Sequence, residues 1–333
     1  MNDVVIHGDG VAAYCCAHLL RSAGFRLILD RPGCRRLPAI LLGEPALALI
    51  RDVFEKQDLF DDLPRIRKRV VAWGPNSTPI VLDHSAVVVS EQILLENLQP
   101  KLEDCSGPAH AETAWTVFAS RPLPAGVVEH RFGSRHAFAA PVEIKDQPGP
   151  AACWIESLEH GWLFLIPNAP GSGWLLSVGC PAEALLDRSR TIAGRIAKLY
   201  PASGEFPAYP RIVAPLCGPG WLACGTAAMA FDPICGDGTA HAIREAILAA
   251  AVIRAAVNGS QSRELFSHYE ARLRAGFARH LGHCMEFYRS GASGPWWDSE
   301  IESVQSGLDW CAPGLRNRSE FRYRLNGFDL QPI

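Results

Sequence analysis

The sequence is poor in lysine and has no excess of positive charge. Lysine stands only at 56, 68, 101, 145 and 198, so arginine carries most of the cationic charge. Against 35 acidic residues there are 32 basic ones, a formal net charge of -3. Nothing is left over to neutralise a phosphate backbone, which argues against a nucleic-acid partner. No C-x-x-C pair occurs among the 11 cysteines. An odd, scattered set in a chain long enough to need no staples is expected as free thiols. Met1–Gly10 shows no basic segment followed by an apolar core, so a reducing cytoplasm is the expected setting. The longest uncharged stretch, Gly161 to Ala182, is broken by Pro167, Asn168, Pro170, Gly171 and Gly173, which excludes a continuous membrane helix there. There is no G-x-S-x-G nucleophile elbow, and Gly171-Ser172-Gly173 reads as a turn. Internal repeats and low-complexity tracts are also missing. With 48% apolar and 20% charged residues in 333, the chain has ordinary globular usage, for two domains or one elaborated domain.

What is present starts at the N-terminus. Val4-Val5-Ile6 reads as a buried strand, His7-Gly8-Asp9-Gly10-Val11-Ala12-Ala13 as a glycine turn, and Tyr14 to Ala23 as a helix ended by Gly24. A second strand, Phe25 to Leu29, delivers Asp30 and Arg31. This is the order of a dinucleotide-binding unit. Gly8 permits the tight turn, Gly10 lets backbone approach a pyrophosphate at the helix start, and Ala13 is the small residue for helix–strand packing. Asp30 follows Gly8 at roughly the 20-residue spacing of an acid that accepts from an adenosine ribose. NAD and FAD are not distinguished by these residues.

A second glycine corner comes two hundred residues later. The strand Trp221–Cys224 is followed by Gly225-Thr226-Ala227-Ala228, then Phe231-Asp232-Pro233-Ile234-Cys235-Gly236-Asp237-Gly238-Thr239 and a helix from Ala240 to Val257. Free N–H groups at that helix start suit the anionic end of a ligand. Together the two corners imply one extended ligand held at both ends.

This pair of segments resembles the FAD-dependent monooxygenase superfamily of aromatic hydroxylases and flavin-dependent halogenases. There, the late G-D-A-A…D-P…G-x-G segment binds the ribityl chain and the flavin ring. Leu42-Gly43-Glu44-Pro45-Ala46 is similar to their G-E segment beside the flavin. Gly161-Trp162-Leu163-Phe164-Leu165-Ile166-Pro167 is similar to their W-x-W-x-I-P strand, and Phe287-Tyr288-Arg289 with Pro295-Trp296-Trp297 to their C-terminal helical region. The wording Ala230-Phe231-Asp232-Pro233 resembles most the enzymes that hydroxylate tryptophan while quinone cofactors mature in partner proteins. The resemblance implies an FAD enzyme that hydroxylates an electron-rich, aromatic substrate through a flavin C4a-hydroperoxide. That substrate is a small molecule or an aromatic residue in another protein. Electrons come from NAD(P)H or a separate flavin reductase. Cofactor contacts fall on Gly8, Gly10, Val11, Ala12, Ala13, Asp30, Arg31, Gly43, Glu44, Thr226, Asp232, Pro233, Gly236, Gly238 and Thr239, and the substrate pocket on Trp162, Phe164, Trp174 and Trp296.

The departures from that pattern also carry information. Thr226 replaces the usual Asp at the ribityl chain, losing a charge-assisted bond. Ser90 or Glu91 stands where an Arg is usual near the pyrophosphate, and Ala119-Ser120-Arg121 replaces an acid–glycine turn, with Arg121 as a substitute charge. Counting back from Trp73, the halogenase lysine falls on Arg65, which cannot form a chloramine-like adduct; Lys68 beside it reads as a solvated face. Two other readings use the same motifs: a flavin reductase of the geranylgeranyl-reductase type, and a non-catalytic binding or maturation partner. General-base candidates are Glu44, His160 and His241. His280, His283 and Cys284 share helical spacing suited to metal ligands, without an acid or further cysteine to complete the set, so no metal is expected. Trp154, Trp162, Phe164 and Trp174 either line an aromatic pocket or form a sheet core. Trp296-Trp297 either plugs a domain junction or walls the cavity. Cys15-Cys16 reads as small core packing.

The expected architecture is α/β, a Rossmann-like FAD-binding domain (1–65, 100–125 and 205–258) with an inserted mixed β-sheet substrate domain (66–99 and 126–204) and a helical C-terminal region (259–333). Short strands are expected at Arg69–Trp73, Pro79–Leu82 and Ala86–Val89, with turns at Gly74-Pro75-Asn76 and Asp83-His84, and a helix over Glu183–Leu199.

Overall fold

The computed structural model describes residues 3–33, 36–74, 78–100, 115–145, 151–315 and 321–333. The turn residues Pro75-Asn76, Lys101 and the stretch 101–114 lie outside them. In chain order the first half holds β1 (Asp3–His7), α1 (Val11–Ser22), β2 (Arg26–Asp30), β3 (Ile40–Gly43), α2 (Glu44–Phe54), β4 (Arg65–Ala72), β5 (Ile80–Val89), α3 (Glu91–Leu98), β6 (Trp115–Phe118), β7 (Val128–Arg131) and β8 (His136–Ile144). Then come β9 (Ala152–Leu158), β10 (Gly161–Ala169), β11 (Ser172–Val178), α4 (Ala182–Leu186), β12 (Ile196–Leu199), β13 (Gly204–Pro207), β14 (Arg211–Ala214), β15 (Cys217–Gly218), β16 (Trp221–Ala223) and β17 (Met229–Ala230). The chain closes with α5 (Gly238–Val257), α6 (Ser262–Ser290), α7 (Pro295–Leu315), β18 (Tyr323–Asn326) and β19 (Asp329–Pro332).

A five-stranded sheet has the order β15-β16-β6-β1-β2, in which β2, β1, β6 and β16 run parallel. Val4 and Ile6 are wholly buried in β1, as an interior strand between parallel neighbours requires. α1 packs against α5 through small residues. The Cys15 thiol lies 3.9 Å from the Ile243 carbonyl, and the Cys16 thiol 3.5 Å from that of Ala246, so the vicinal cysteines are packing residues, as expected. These contacts fall early in both helices, which brings the two helix starts to the same end.

The second layer is a nine-stranded mixed sheet, β12-β8-β11-β10-β9-β4-β5-β3 with β13 on β8. β3 pairs with β5, so this sheet recruits residues 40–43, earlier than the expected boundary at 66, while α3 within 66–99 packs on α1. α6 and α7 close the molecule over both layers, and the described chain forms a mixed α/β fold with a main core spanning the two.

Three expectations are corrected. The turn at Asp83-His84 does not form: β5 runs on through both residues, with Asp83 opposite Lys68 on β4 and a one-residue register shift before Ala86 pairs with Ile66. The helix over Glu183–Leu199 stops at Leu186 and gives way to β12. There the buried Glu156 carboxylate accepts the backbone N–H groups of Arg190 (2.7 Å), Thr191 (3.1 Å) and Ile192 (3.0 Å), which turns the chain about that acid instead of into a helix. The C-terminal region is not helical throughout: after α7 it ends in the β18–β19 hairpin across Gly327-Phe328.

Candidate cofactor and active site

The first corner is built by β1, β6 and α1. Gly8 has φ +137°, and its N–H donates to the Asp30 carbonyl at 2.8 Å. A Cβ on Gly8 would stand 3.1 Å from the Ala119 Cβ and 3.2 Å from the Ser120 nitrogen, so a side chain there would be strained by φ and would push the strand ends apart by a few tenths of an ångström. Gly10 is different: its backbone is extended, and a Cβ there would meet nothing within 4 Å. No side chain caps α1, so the first-turn N–H groups of Val11, Ala12 and Ala13 face the space beside Gly10.

The second corner sits against the first. Gly225 has φ +57°, and a Cβ on it would stand 2.6 Å from that of Ala12. Its N–H donates to Glu245 Oε2 at 2.8 Å. Burial pushes the Glu245 carboxyl well up, against the opposing effect of that hydrogen bond. The Thr226 hydroxyl donates to the Ala119 carbonyl at 3.3 Å, tying the departure residue to the first corner. Farther on, Gly236 (φ +67°) and Gly238 flank the uncapped start of α5, and a Cβ on either would meet nothing within 4 Å. The pair of corners therefore presents backbone N–H groups and open space from two neighbouring helix starts, which fits an elongated anionic dinucleotide.

At the far end of the first corner, His7 Nδ1 lies 2.7 Å from Asp30 Oδ2 and its ring stacks on Phe118 at 5.1 Å. The Arg31 guanidinium lies over the Tyr14 ring at 5.7 Å. Sequence reasoning missed Arg36, whose Nη2 pairs with Asp9 Oδ2 at 2.5 Å. It offsets the acid that interrupts the glycine turn, a pairing across the 34–35 stretch that no local motif signals.

The other departures resolve into structural roles. Ser90 caps α3 by accepting the Ile93 N–H at 3.2 Å, and Glu91 accepts the Leu37 N–H at 2.8 Å. Arg121 pairs with Glu129, which also holds Arg131 and Arg211, so the charge expected to replace the missing acid–glycine turn is already engaged. Burial favours the protonated form of Glu129, but the hydrogen bond from Arg131 and the three guanidinium charges outweigh it and lower the pKa.

Asp232 does not face the open space. It is buried and accepts from Arg135 (2.9 and 2.5 Å), the Tyr288 hydroxyl (2.7 Å) and the Ile234 N–H (2.9 Å), while Arg135 also pairs with Glu300. Its side chain anchors the Pro233–Gly238 corner. Burial works against the Arg135 charge, but Asp232, Tyr288 and Glu300 outweigh it and raise its pKa.

The three base candidates separate. Glu44 pairs with Arg65 and accepts the Ser85 hydroxyl at 2.7 Å. His160 is exposed on the turn between β9 and β10. His241 lies at the second corner, stacked on Phe231 at 4.2 Å, with Nε2 2.9 Å from Asp237 Oδ2. Burial disfavours the Asp237 carboxylate, but the His241 hydrogen bond and the His241 and His280 charges bring its pKa down.

The aromatic set splits across the large sheet. Antiparallel register pairs Phe164 with Leu176 and Ile155, and Ile166 with Trp174, so Trp162, Phe164 and Trp174 share one face. Trp162 is fully buried there. Trp154 pairs with Leu165, on the opposite face, under the Arg195 guanidinium at 4.6 Å. Trp296 packs edge-on to Trp297 at 4.9 Å, and Trp297 donates to the Leu158 carbonyl at 2.8 Å, a plug between α7 and the sheet.

Of the three residues at metal-ligand spacing, His280 and Cys284 are buried and His283 is exposed. Two groups have donor atoms within 4.8 Å of one another, Cys235/His280/Cys284 and Asp237/His241/His280. His280 Nε2, however, accepts the Asp232 N–H at 2.8 Å, which uses its lone pair and leaves the proton on Nδ1. His280, common to both sets, thus has its Nε2 lone pair engaged within the protein.

No protein-family model matches the chain, and no curated protein matches it in sequence. Solved structures match its fold. The peptidyl tryptophan dihydroxylase QhpG, essential for tryptophylquinone cofactor biogenesis, is similar at 17% identity with TM-score 0.70, covering 99% of this chain and 86% of that one. The flavin-dependent brominase Bmp2 is similar at 19% identity with TM-score 0.69, covering 96% and 92%. An HpxO variant from Klebsiella pneumoniae complexed with FAD is similar at 16% identity with TM-score 0.61, covering 96% and 100%. The chain thus has the fold of flavin-dependent hydroxylases and halogenases. Among the described residues no helix is long and apolar enough to cross a membrane.

Proposed function

We propose that the protein is an FAD-dependent monooxygenase that hydroxylates an electron-rich aromatic substrate. The observation that carries this reading is the meeting of the two glycine corners, Gly225 against Ala12, with open backbone at Gly10, Gly236 and Gly238. On this reading Gly8, Gly10 and Val11 to Ala13 hold the pyrophosphate, and Asp30, oriented by His7, accepts from the adenosine ribose. Thr226 stands at the ribityl chain, and Pro233, Gly236, Gly238 and Thr239 border the ring, with Gly43 and Glu44 at its other side. Bound FAD, once reduced, would supply oxygen activation, which no side chain can supply. The protein's own contribution is position and exclusion of water: the Arg135 cluster fixes the second corner, and Phe164 and Trp174, backed by the buried Trp162 and with Trp296 beyond, wall an apolar substrate side. His241 is the base candidate best placed at the second corner. Its Nε2 is held by Asp237, so it can carry a proton there.

The five-stranded unit then serves the cofactor and the nine-stranded sheet the substrate. Arg65, committed to Glu44, leaves no amine for halogen transfer. The fold shared with a peptidyl tryptophan dihydroxylase supports a protein-borne aromatic residue as well as a small molecule. The test is oxygen uptake by the FAD-loaded protein, supplied with NAD(P)H or a flavin reductase and offered indoles, phenols and tryptophan peptides. One hydroxylated product per oxygen consumed is expected. Turnover that continues without oxygen would replace this reading with a carbon–carbon double-bond reductase.

A further inference from the structure

Cys235 and Cys284 come from distant parts of the chain and meet beneath the second corner. Cys235 ends the short 3-10 turn Pro233–Cys235 and is half-buried, whereas Cys284, on α6, is fully buried, with the two Sγ atoms 3.8 Å apart. His280, one turn earlier on α6, places Nε2 3.3 Å from Cys284 Sγ. We propose that these thiols are a redox couple: hydrogen peroxide oxidises Cys235, and Cys284 then closes a disulfide that ties the Pro233–Gly238 corner to α6.

Each step balances. The Cys235 thiolate attacks one peroxide oxygen, the O–O bond breaks, and a sulfenic acid forms as hydroxide leaves and takes up a proton. The Cys284 sulfur then attacks the Cys235 sulfur, the S–O bond breaks, and the displaced hydroxide leaves as water with the Cys284 proton. Two thiols and one peroxide become one disulfide and two waters.

The order of attack follows from the surroundings. The groups facing Cys235 are Cys284 and His280 on α6 and Asp232 on its own loop. The Cys284 hydrogen bond, against burial and with help from His280, brings the Cys235 thiol down to about 6, while burial pushes the Cys284 thiol up. The exposed, left-handed Gly236 beside Cys235 gives the loop freedom to close the remaining gap to a disulfide bond length of about 2.05 Å. A second close pair shows what is missing elsewhere. Cys16 and Cys224 lie 3.9 Å apart, but both are fully buried, and the Cys16 contact and burial push the Cys224 thiol well up.

The whole protein is treated with hydrogen peroxide, its remaining thiols are alkylated in denaturant, and it is mapped by mass spectrometry without reductant. The expected product is one Cys235–Cys284 linked peptide, lighter than its parts by two hydrogens and split by dithiothreitol, with Cys16 and Cys224 alkylated. The reaction should run about tenfold slower at pH 5 than at pH 7, as the thiolate fraction falls. Cys284→Ser should stop at a sulfenic acid on Cys235 that dimedone captures, and Cys235→Ser should leave Cys284 unoxidised. A different partner for Cys235, oxidation of Cys284 at the parental rate in Cys235→Ser, or zinc found shielding both thiols in the purified protein would overturn the proposal. None of these outcomes depends on whether FAD is bound.

Discussion

Gly8 and Gly10 stand two residues apart and have opposite requirements. Gly8→Ala puts a Cβ at φ +137° against Ala119 and Ser120, so it should lower stability by about 1–3 kcal/mol in urea unfolding. Glu245 offers a test in pH. Burial raises its folded pKa; the stability it allows is complete below the unfolded carboxylate range, about 4.3, and falls as pH rises toward the folded value. Glu245→Gln keeps a neutral acceptor for the Gly225 N–H at every pH. It should melt higher than the parent at pH 7, with the gain vanishing near pH 4 in a pH series of thermal melts. Glu245→Ala, which leaves that N–H buried and unpaired, should cost about 1–3 kcal/mol. Residues of the glycine motifs were readable because their spacing is local. Arg36, Arg135 and Glu300 were not, because each acts on a partner far away in sequence and no motif fixes where an arginine side chain goes.

Among elements, the short segment from Asp232 to Asp237 depends on what lies beneath it. Arg135→Met would leave Asp232 and Glu300 buried without their cation, a change expected to cost about 3–5 kcal/mol, measured by chemical unfolding. Elements whose periodicity and ends agree, such as α1 and α5, form within a few residues of their expected limits. Glu183–Leu199 failed because helix spacing continues past Leu186 while a buried acid from another strand, Glu156, collects the backbone N–H groups. The terminal hairpin shows the reverse: its two-residue turn, Gly327-Phe328 with Gly327 at φ +60°, is local, and a helical reading of the whole C-terminal region covered it.

For the whole molecule, the parallel pairing of β1 with β2 follows from the strand–glycine–helix–strand order, so this part of the five-stranded sheet was legible from the first thirty residues. The large sheet was less so. Sequence alone grouped Trp154 with Trp162, Phe164 and Trp174, and only strand register reveals that it lies on the other face of the sheet. The account rests on the space shared by the two corners, and an FAD titration followed by visible absorbance and flavin fluorescence tests it most directly. The parent protein should bind FAD stoichiometrically. Gly10→Leu, which meets no protein atom at its Cβ, should fold with an unchanged melting curve and lose binding at least 100-fold. A parent that binds no FAD, or a folded Gly10→Leu variant that binds it as tightly as the parent, would contradict the account.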